Sequence, residues 1–100
     1  MGENDNIPQM TPSFENICRK DENGNEYWSS RDLCGAMGYS AYWKFQRVID
    51  KAIKVAGEKG MNVDEHFNQA VDMVKIGNGS FRKVNIFRLS RMACMIIAEN

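Results

Sequence analysis

Residues 25–45 read NEYWSSRDLCGAMGYSAYWKF, and the order of signals in this stretch decides the fold. Glu26-Tyr27-Trp28 is aromatic and extended, the composition of a strand end. Ser29-Ser30-Arg31-Asp32 then matches a Ser-x-x-Asp capping box, in which a hydroxyl and a carboxylate satisfy the free N–H groups of a helix start. A short helix runs on through Leu33, Cys34 and Met37 and stops at Gly38. Gly38-Tyr39-Ser40 makes a tight bend, and Ser40 is placed to cap a second helix.

Working outward, Phe14 to Cys18 alternates roughly apolar and polar, and Asp21-Glu22-Asn23-Gly24-Asn25 is a turn centred on Asn-Gly. With Glu26-Tyr27-Trp28 these residues predict a β-hairpin. Residues 1–13 combine Asn, Pro, Gly and acid with no apolar period and are expected to form a disordered lead-in. After the bend, Phe45, Val48, Ile49, Ala52, Ile53 and Ala56 recur at spacings of three and four, one apolar helical stripe before Gly57 and Gly60. Asp64 is expected to cap a third helix carrying Phe67, Ala70 and Val71. Val74-Lys75-Ile76 and Val84-Asn85-Ile86 flank Gly77-Asn78-Gly79-Ser80 and predict a second hairpin. Ser90 starts a final helix that reaches Asn100 with no stop signal and its apolar pattern unfinished, so the chain is expected to have been cut from something longer. The order ββααα, ββ, α defines a small single α+β domain, two β-hairpins packed with about four helices.

The chain has 100 residues, 43% hydrophobic and 26% charged, the composition of an ordinary globular domain. Its apolar runs, such as Met92 to Ala98, fall far short of the about 20 residues that cross a bilayer, and the acidic N-terminus lacks the regions of a signal peptide. A cytoplasmic protein is expected, with no membrane partner. Cys18, Cys34 and Cys94 are odd in number and form no Cys-x-x-Cys motif, which predicts reduced thiols, two of them in the core. His66 is the single histidine, and there is no Gly-x-Ser-x-Gly, phosphate-binding loop or paired-carboxylate motif. A thiol–imidazole pair needs the fold to bring Cys34 or Cys94 to His66. The simpler reading packs the cysteines in the core and hydrogen-bonds His66 near a helix start. No enzyme, no cofactor and no metal site are expected.

Charge carries more information. Net charge is zero, yet residues 1–30 hold six acidic and two basic side chains and residues 31–100 seven acidic and eleven basic. On the second helix Lys44, Arg47, Lys51 and Lys54 fall within an arc of about 80°, beside the apolar stripe. A helix with one sorted cationic face fits a phosphate backbone. Trp43 projects toward this basic edge, where it stacks on a base or covers the Lys54 stem; the alternative packs it against the first helix. A second basic region, Lys75 to Arg91, has five cations and no acid, and Arg82-Lys83 beside a Gly-Asn-Gly tip suits a finger onto phosphates. The bland alternative for both regions is a solvated surface.

Together, EYWSSRDLCGAMGYS, Phe45 with VIDKA, Glu65-His66-Phe67, MVKIGNGSFRK and LSRMACMIIAEN resemble the bacterial DNA-damage-inducible protein D family over about residues 14–100. The aromatic, Ser, Arg-Asp-Leu, Gly-Tyr portion is also similar to the BRO N-terminal domain of viral BRO proteins and phage antirepressors, small α+β modules associated with DNA binding. The family typically carries tyrosines where this chain has Met92 and Met95. The resemblance implies a cytoplasmic bacterial protein of the DNA-damage (SOS) response, acting through DNA, single- or double-stranded, or through proteins on DNA. The alternative is an antirepressor-like interaction module acting on a recombination, repair or repressor protein through an apolar patch at Met92, Met95 and Ile96, with homodimer formation left open.

Overall fold

A computed structural model describes residues 12–99. The elements are helix α1 (Pro12–Asn16), strands β1 (Arg19–Lys20) and β2 (Glu26–Ser29), helices α2 (Ser30–Ala36), α3 (Tyr42–Glu58) and α4 (Val63–His66), strands β3 (Phe67–Lys75) and β4 (Phe81–Leu89), and helix α5 (Arg91–Glu99). The strands form one antiparallel sheet in the order β1-β2-β4-β3. The fold is α+β, as expected. Most of the expected lead-in, residues 1–11, lies outside the described residues, as does Asn100; α1 begins two residues inside the boundary drawn at Ser13.

The first hairpin exists, but its first arm is not the strand Phe14–Cys18. Those residues form α1 and the link after it, and only Arg19 and Lys20 pair, with Tyr27 and Glu26. Phe14, Ile17 and Cys18 stand at i, i+3 and i+4, a helical spacing, and all three turn toward the core. The turn forms as read: Asp21 accepts from the N–H groups of Asn23 at 2.8 Å and Asn25 at 2.9 Å. These N–H donors, Asn25 foremost, hold the Asp21 carboxyl below its usual range.

Strand β2 feeds directly into α2. Ser29 is the N-cap and accepts from the Arg31 N–H at 3.3 Å. Asp32 does not complete the capping box; it pairs with Arg19 at 2.9 Å. Ser30 instead links three elements, since its Oγ accepts from the Phe87 N–H at 2.9 Å and shares a 2.6 Å hydrogen bond with the Tyr42 hydroxyl. Gly38, at φ 83, takes the left-handed conformation that ends the helix. Helix α3 then starts at Tyr42 with Ala41, not Ser40, at the N-cap and no side-chain cap. Tyr42 is fixed by Ser30 and by the Arg31 guanidinium, 4.3 Å above its ring.

The expected third helix is the other departure. Asn62, not Asp64, caps α4, accepting from the Glu65 N–H at 3.2 Å. The helix ends after one turn at His66, and Phe67, Ala70 and Val71 belong to β3. Their i, i+3, i+4 spacing looks helical, but nine consecutive cross-strand pairs, Phe67–Leu89 through Lys75–Phe81, outweigh that local preference. The second hairpin is therefore a ribbon of two nine-residue strands, longer than the sequence suggested. Asn78 (φ 60) and Gly79 (φ 82) turn its tip.

The core lies between the inner end of this sheet and helices α2, α3 and α5. Leu33, Phe45, Ile49, Ala52, Ala56, Phe67, Leu89, Ala93, Cys94 and Ile97 pack around the fully buried Trp28. The Trp28 ring stacks on Phe14 at 4.4 Å and 7°, and its indole N–H donates to the Phe14 carbonyl at 2.9 Å. Arg91 lies 4.9 Å over the Trp28 ring and reaches Glu15 at 2.9 Å and Glu26 at 3.0 Å. The Arg91 hydrogen bond lowers the Glu15 pKa from its ordinary 4.5.

Trp28→Ala should cost about 3–5 kcal/mol, since it empties the centre of the core and removes the indole hydrogen bond to the Phe14 carbonyl; urea unfolding measures this. Because the folded-state pKa of Glu15 is depressed, its contribution is present above about pH 4.5 and is lost as pH falls through the lower folded value. Melting temperature should therefore fall on that acid limb, and Arg91→Gln should make the limb shallower.

Candidate nucleic-acid interface

Helix α3 buries Phe45, Ile49, Ala52 and Ala56, which fixes the rotation of its other face. Lys44, Arg47, Lys51 and Lys54 are all exposed on that face. Ile49 beside Arg47 is buried and Val48 half-buried, as helical geometry requires. Among the described residues none of these four cations makes an ion pair. Asp50, the nearest acid along the helix, accepts from Gln46 at 3.1 Å.

Trp43 is 61% exposed, with the Lys44 Nζ 5.7 Å from its ring centre. It neither packs into the core against α2 nor lies buried over the Lys54 stem. A flat aromatic surface is left in solvent at the basic edge of the helix.

The second basic region divides. Arg91 belongs to the clamp beneath Trp28, and Arg88 lies 4.7 Å over the Tyr27 ring. Lys75, Arg82 and Lys83 remain, exposed and without an acidic partner among the described residues. Arg82 and Lys83 are successive residues of β4, so they point to opposite faces of the ribbon. By register, Arg82 shares a face with Val74, and Lys83 shares one with Met73. No hydrogen bond or ion pair among the described residues joins the α3 set to the ribbon set.

The acids follow the reverse pattern. Glu15 and Glu26 are held by Arg91, and Asp32 and Asp72 by Arg19. These pairs are a third or more exposed on at least one side, so each contributes little stability. Their effect is to engage these four acids with Arg19 and Arg91, while among the described residues the cations of α3 and the ribbon tip make no ion pair.

Sequence reasoning missed the exposed apolar residues of the ribbon. Val71 is 57% exposed, Met73 51% and Phe81 59%. Reading Val71 as part of a helix hid them; the matched, alternating stretches on both sides of Gly-Asn-Gly-Ser were the available signal. The patch expected on α5 is smaller than anticipated, with Met92 51% exposed, Met95 half-buried and Ile96 buried.

The thiols and the histidine are placed as the simpler reading expected. Cys34 and Cys94 are buried and Cys18 half-buried, all reduced. Burial pushes the Cys34 and Cys94 pKa values up, which disfavours thiolate. His66 shares a 2.7 Å hydrogen bond through Nδ1 with Ser90, whose hydroxyl caps α5 by accepting from the Ala93 N–H at 3.0 Å.

This is a small α+β domain with a cationic helix face and a protruding basic ribbon. It is 39% identical over 87 residues, 87% of its length, to DNA damage-inducible protein D of Escherichia coli (strain K12), and over that stretch the two are related. The chain spans about a third of the length of that relative, 32%. No family model matches the chain. No solved structure matches it.

Arg47→Glu should shift stability by no more than about 0.5 kcal/mol, because the side chain is exposed and outside caps and networks. Thermal melts of the two proteins compare them directly; an unfolded variant would place Arg47 in a structural network.

Proposed function

We propose that this domain binds DNA in the bacterial cytoplasm during the response to DNA damage. Lys44, Arg47, Lys51 and Lys54 contact phosphates along α3, Arg82 and Lys83 contact them from the ribbon, and Trp43 offers a stacking surface to an unpaired base. The observation that carries this reading is the exposed cationic face of α3, without an ion pair among the described residues, in a chain whose net charge is zero. Asp50 and Glu58 lie on the same helix, but four sorted cations with no ion pair among the described residues outnumber them and support a local positive field suited to a polyanion. The name of the Escherichia coli relative supports a role in the DNA-damage response, and similarity to the BRO N-terminal domain belongs to the same proposal. Among the described residues no helix is long and apolar enough to cross a membrane.

The reading is of a binding module and needs no cofactor. It is supported by the buried, high-pKa thiols and by a histidine engaged with the cap of α5. A second reading, favoured by the exposed Met92 and ribbon side chains, makes the domain an antirepressor-like module that docks on a recombination, repair or repressor protein or on a second copy of itself.

Titrating single- and double-stranded DNA at two salt concentrations tests the first reading. Log K against log salt should fall by about 0.9 for each duplex phosphate contacted. Replacing Lys44, Arg47, Lys51 and Lys54 together by Ala should reduce that slope by about 3.6. Absence of binding to either form at low salt would defeat it.

A further inference from the structure

Away from the core, one face of the β3–β4 ribbon lies open. Directly opposed residues of an antiparallel pair share a face, so Val71 with Asn85, Met73 with Lys83 and Lys75 with Phe81 line one side. All six are exposed. The other side differs: Val84 and Ile86 are buried there, and Asp72, the acid of the ribbon, is held by Arg19 at 3.4 Å. The open face thus combines apolar, amide and ammonium groups without an acid.

That composition matches what base edges offer in the major groove of DNA. An amide bonds adenine, an ammonium reaches guanine O6 and N7, and apolar groups meet the thymine methyl. A two-stranded ribbon is an element that the about 12 Å wide major groove admits, and thymine methyl groups are presented only there. Five residues of β3, Val71 to Lys75, extend about 17 Å at about 3.4 Å each, the length of about five base pairs. Strand addition at the outer edge is less well served, because the Asp72 carboxylate already accepts the Met73 N–H at 2.8 Å.

We propose that this ribbon enters the major groove of duplex DNA with its open face toward the bases, an inference that rests on the DNA-binding reading above. Val71, Met73 and Phe81 pack against thymine methyl groups. Lys75 and Asn85 address base edges, with Lys83 reaching past them to phosphate. Arg82, on the opposite face, turns away from the bases toward the phosphates at the groove rim.

Short duplexes of one sequence, carrying either thymidine or deoxyuridine, test this by fluorescence anisotropy at low salt. Deoxyuridine removes the methyl groups of the major groove and leaves phosphates and minor groove unchanged. Binding should weaken about fourfold for each thymine methyl group that the ribbon covers. Phe81→Ser and Met73→Ser, both at exposed positions, should weaken binding to the thymidine duplex and shrink the difference between the two. Equal affinity for both duplexes overturns the groove assignment while leaving phosphate contact by α3 intact. Normal DNA binding by the two serine variants also overturns it. No binding to duplex or single strand overturns the DNA reading itself.

Discussion

Everything in the domain is arranged around Trp28. Its ring is fully buried, its indole N–H needs an acceptor inside the core, and the Phe14 carbonyl supplies one. That bond draws α1 under the sheet, the Phe14–Trp28 stack holds it there, and Arg91 lies against both rings while binding Glu15 and Glu26. One aromatic residue on a four-residue strand thereby joins α1, β2 and α5, and its register with Leu89 adds β4. Because β2 pairs with β4 only through Trp28 and Ser29, the outer part of the β3–β4 ribbon has no third strand beside it. The core that organises the fold also leaves the ribbon extended.

The same constraint separates the charges. Arg19 and Arg91 are engaged with acids near the first hairpin, whereas the cations of α3 and the ribbon tip have no acidic partner among the described residues. Neutral composition conceals this, since it counts paired and free charges alike. Exposed side chains that contribute nothing to the core, Trp43 on α3 and Phe81 on the ribbon, accompany each cationic set. That pairing of aromatic surface and free cation is the combination that nucleic-acid contact requires, and it is the reason the DNA reading is preferred over a purely protein-binding one.

Legibility in the sequence followed the length and redundancy of each signal. Helix α3 repeats its apolar spacing over about five turns, so its buried and basic faces could be read correctly from periodicity alone. Ser29 and Ser90 announced two helix starts through capping chemistry. Short segments were ambiguous: Phe14, Ile17 and Cys18 fit either period, and the stack on Trp28 that decides between them is a tertiary contact. Phe67, Ala70 and Val71 mimicked a helix because the strand partner that overrides the local spacing lies far along the chain, beyond the Gly-Asn-Gly tip. The candidate site was legible as a list of cations but not as a surface. That Arg82 and Lys83 face opposite ways, and that Arg88 and Arg91 are already occupied, follows only from register and packing.

On the DNA reading, the cations of α3 and the outer ribbon, which the Trp28-centred core leaves at the surface, form the DNA-contacting face. Backbone amide NMR shifts recorded while duplex DNA is titrated into the protein test it most directly. The account predicts shifts concentrated on the exposed face of α3 around Arg47 and on the outer ribbon from Val71 to Asn85, with Glu15, Glu26 and Arg91 unmoved. Shifts centred on α5 at Met92, or none at all, would contradict it.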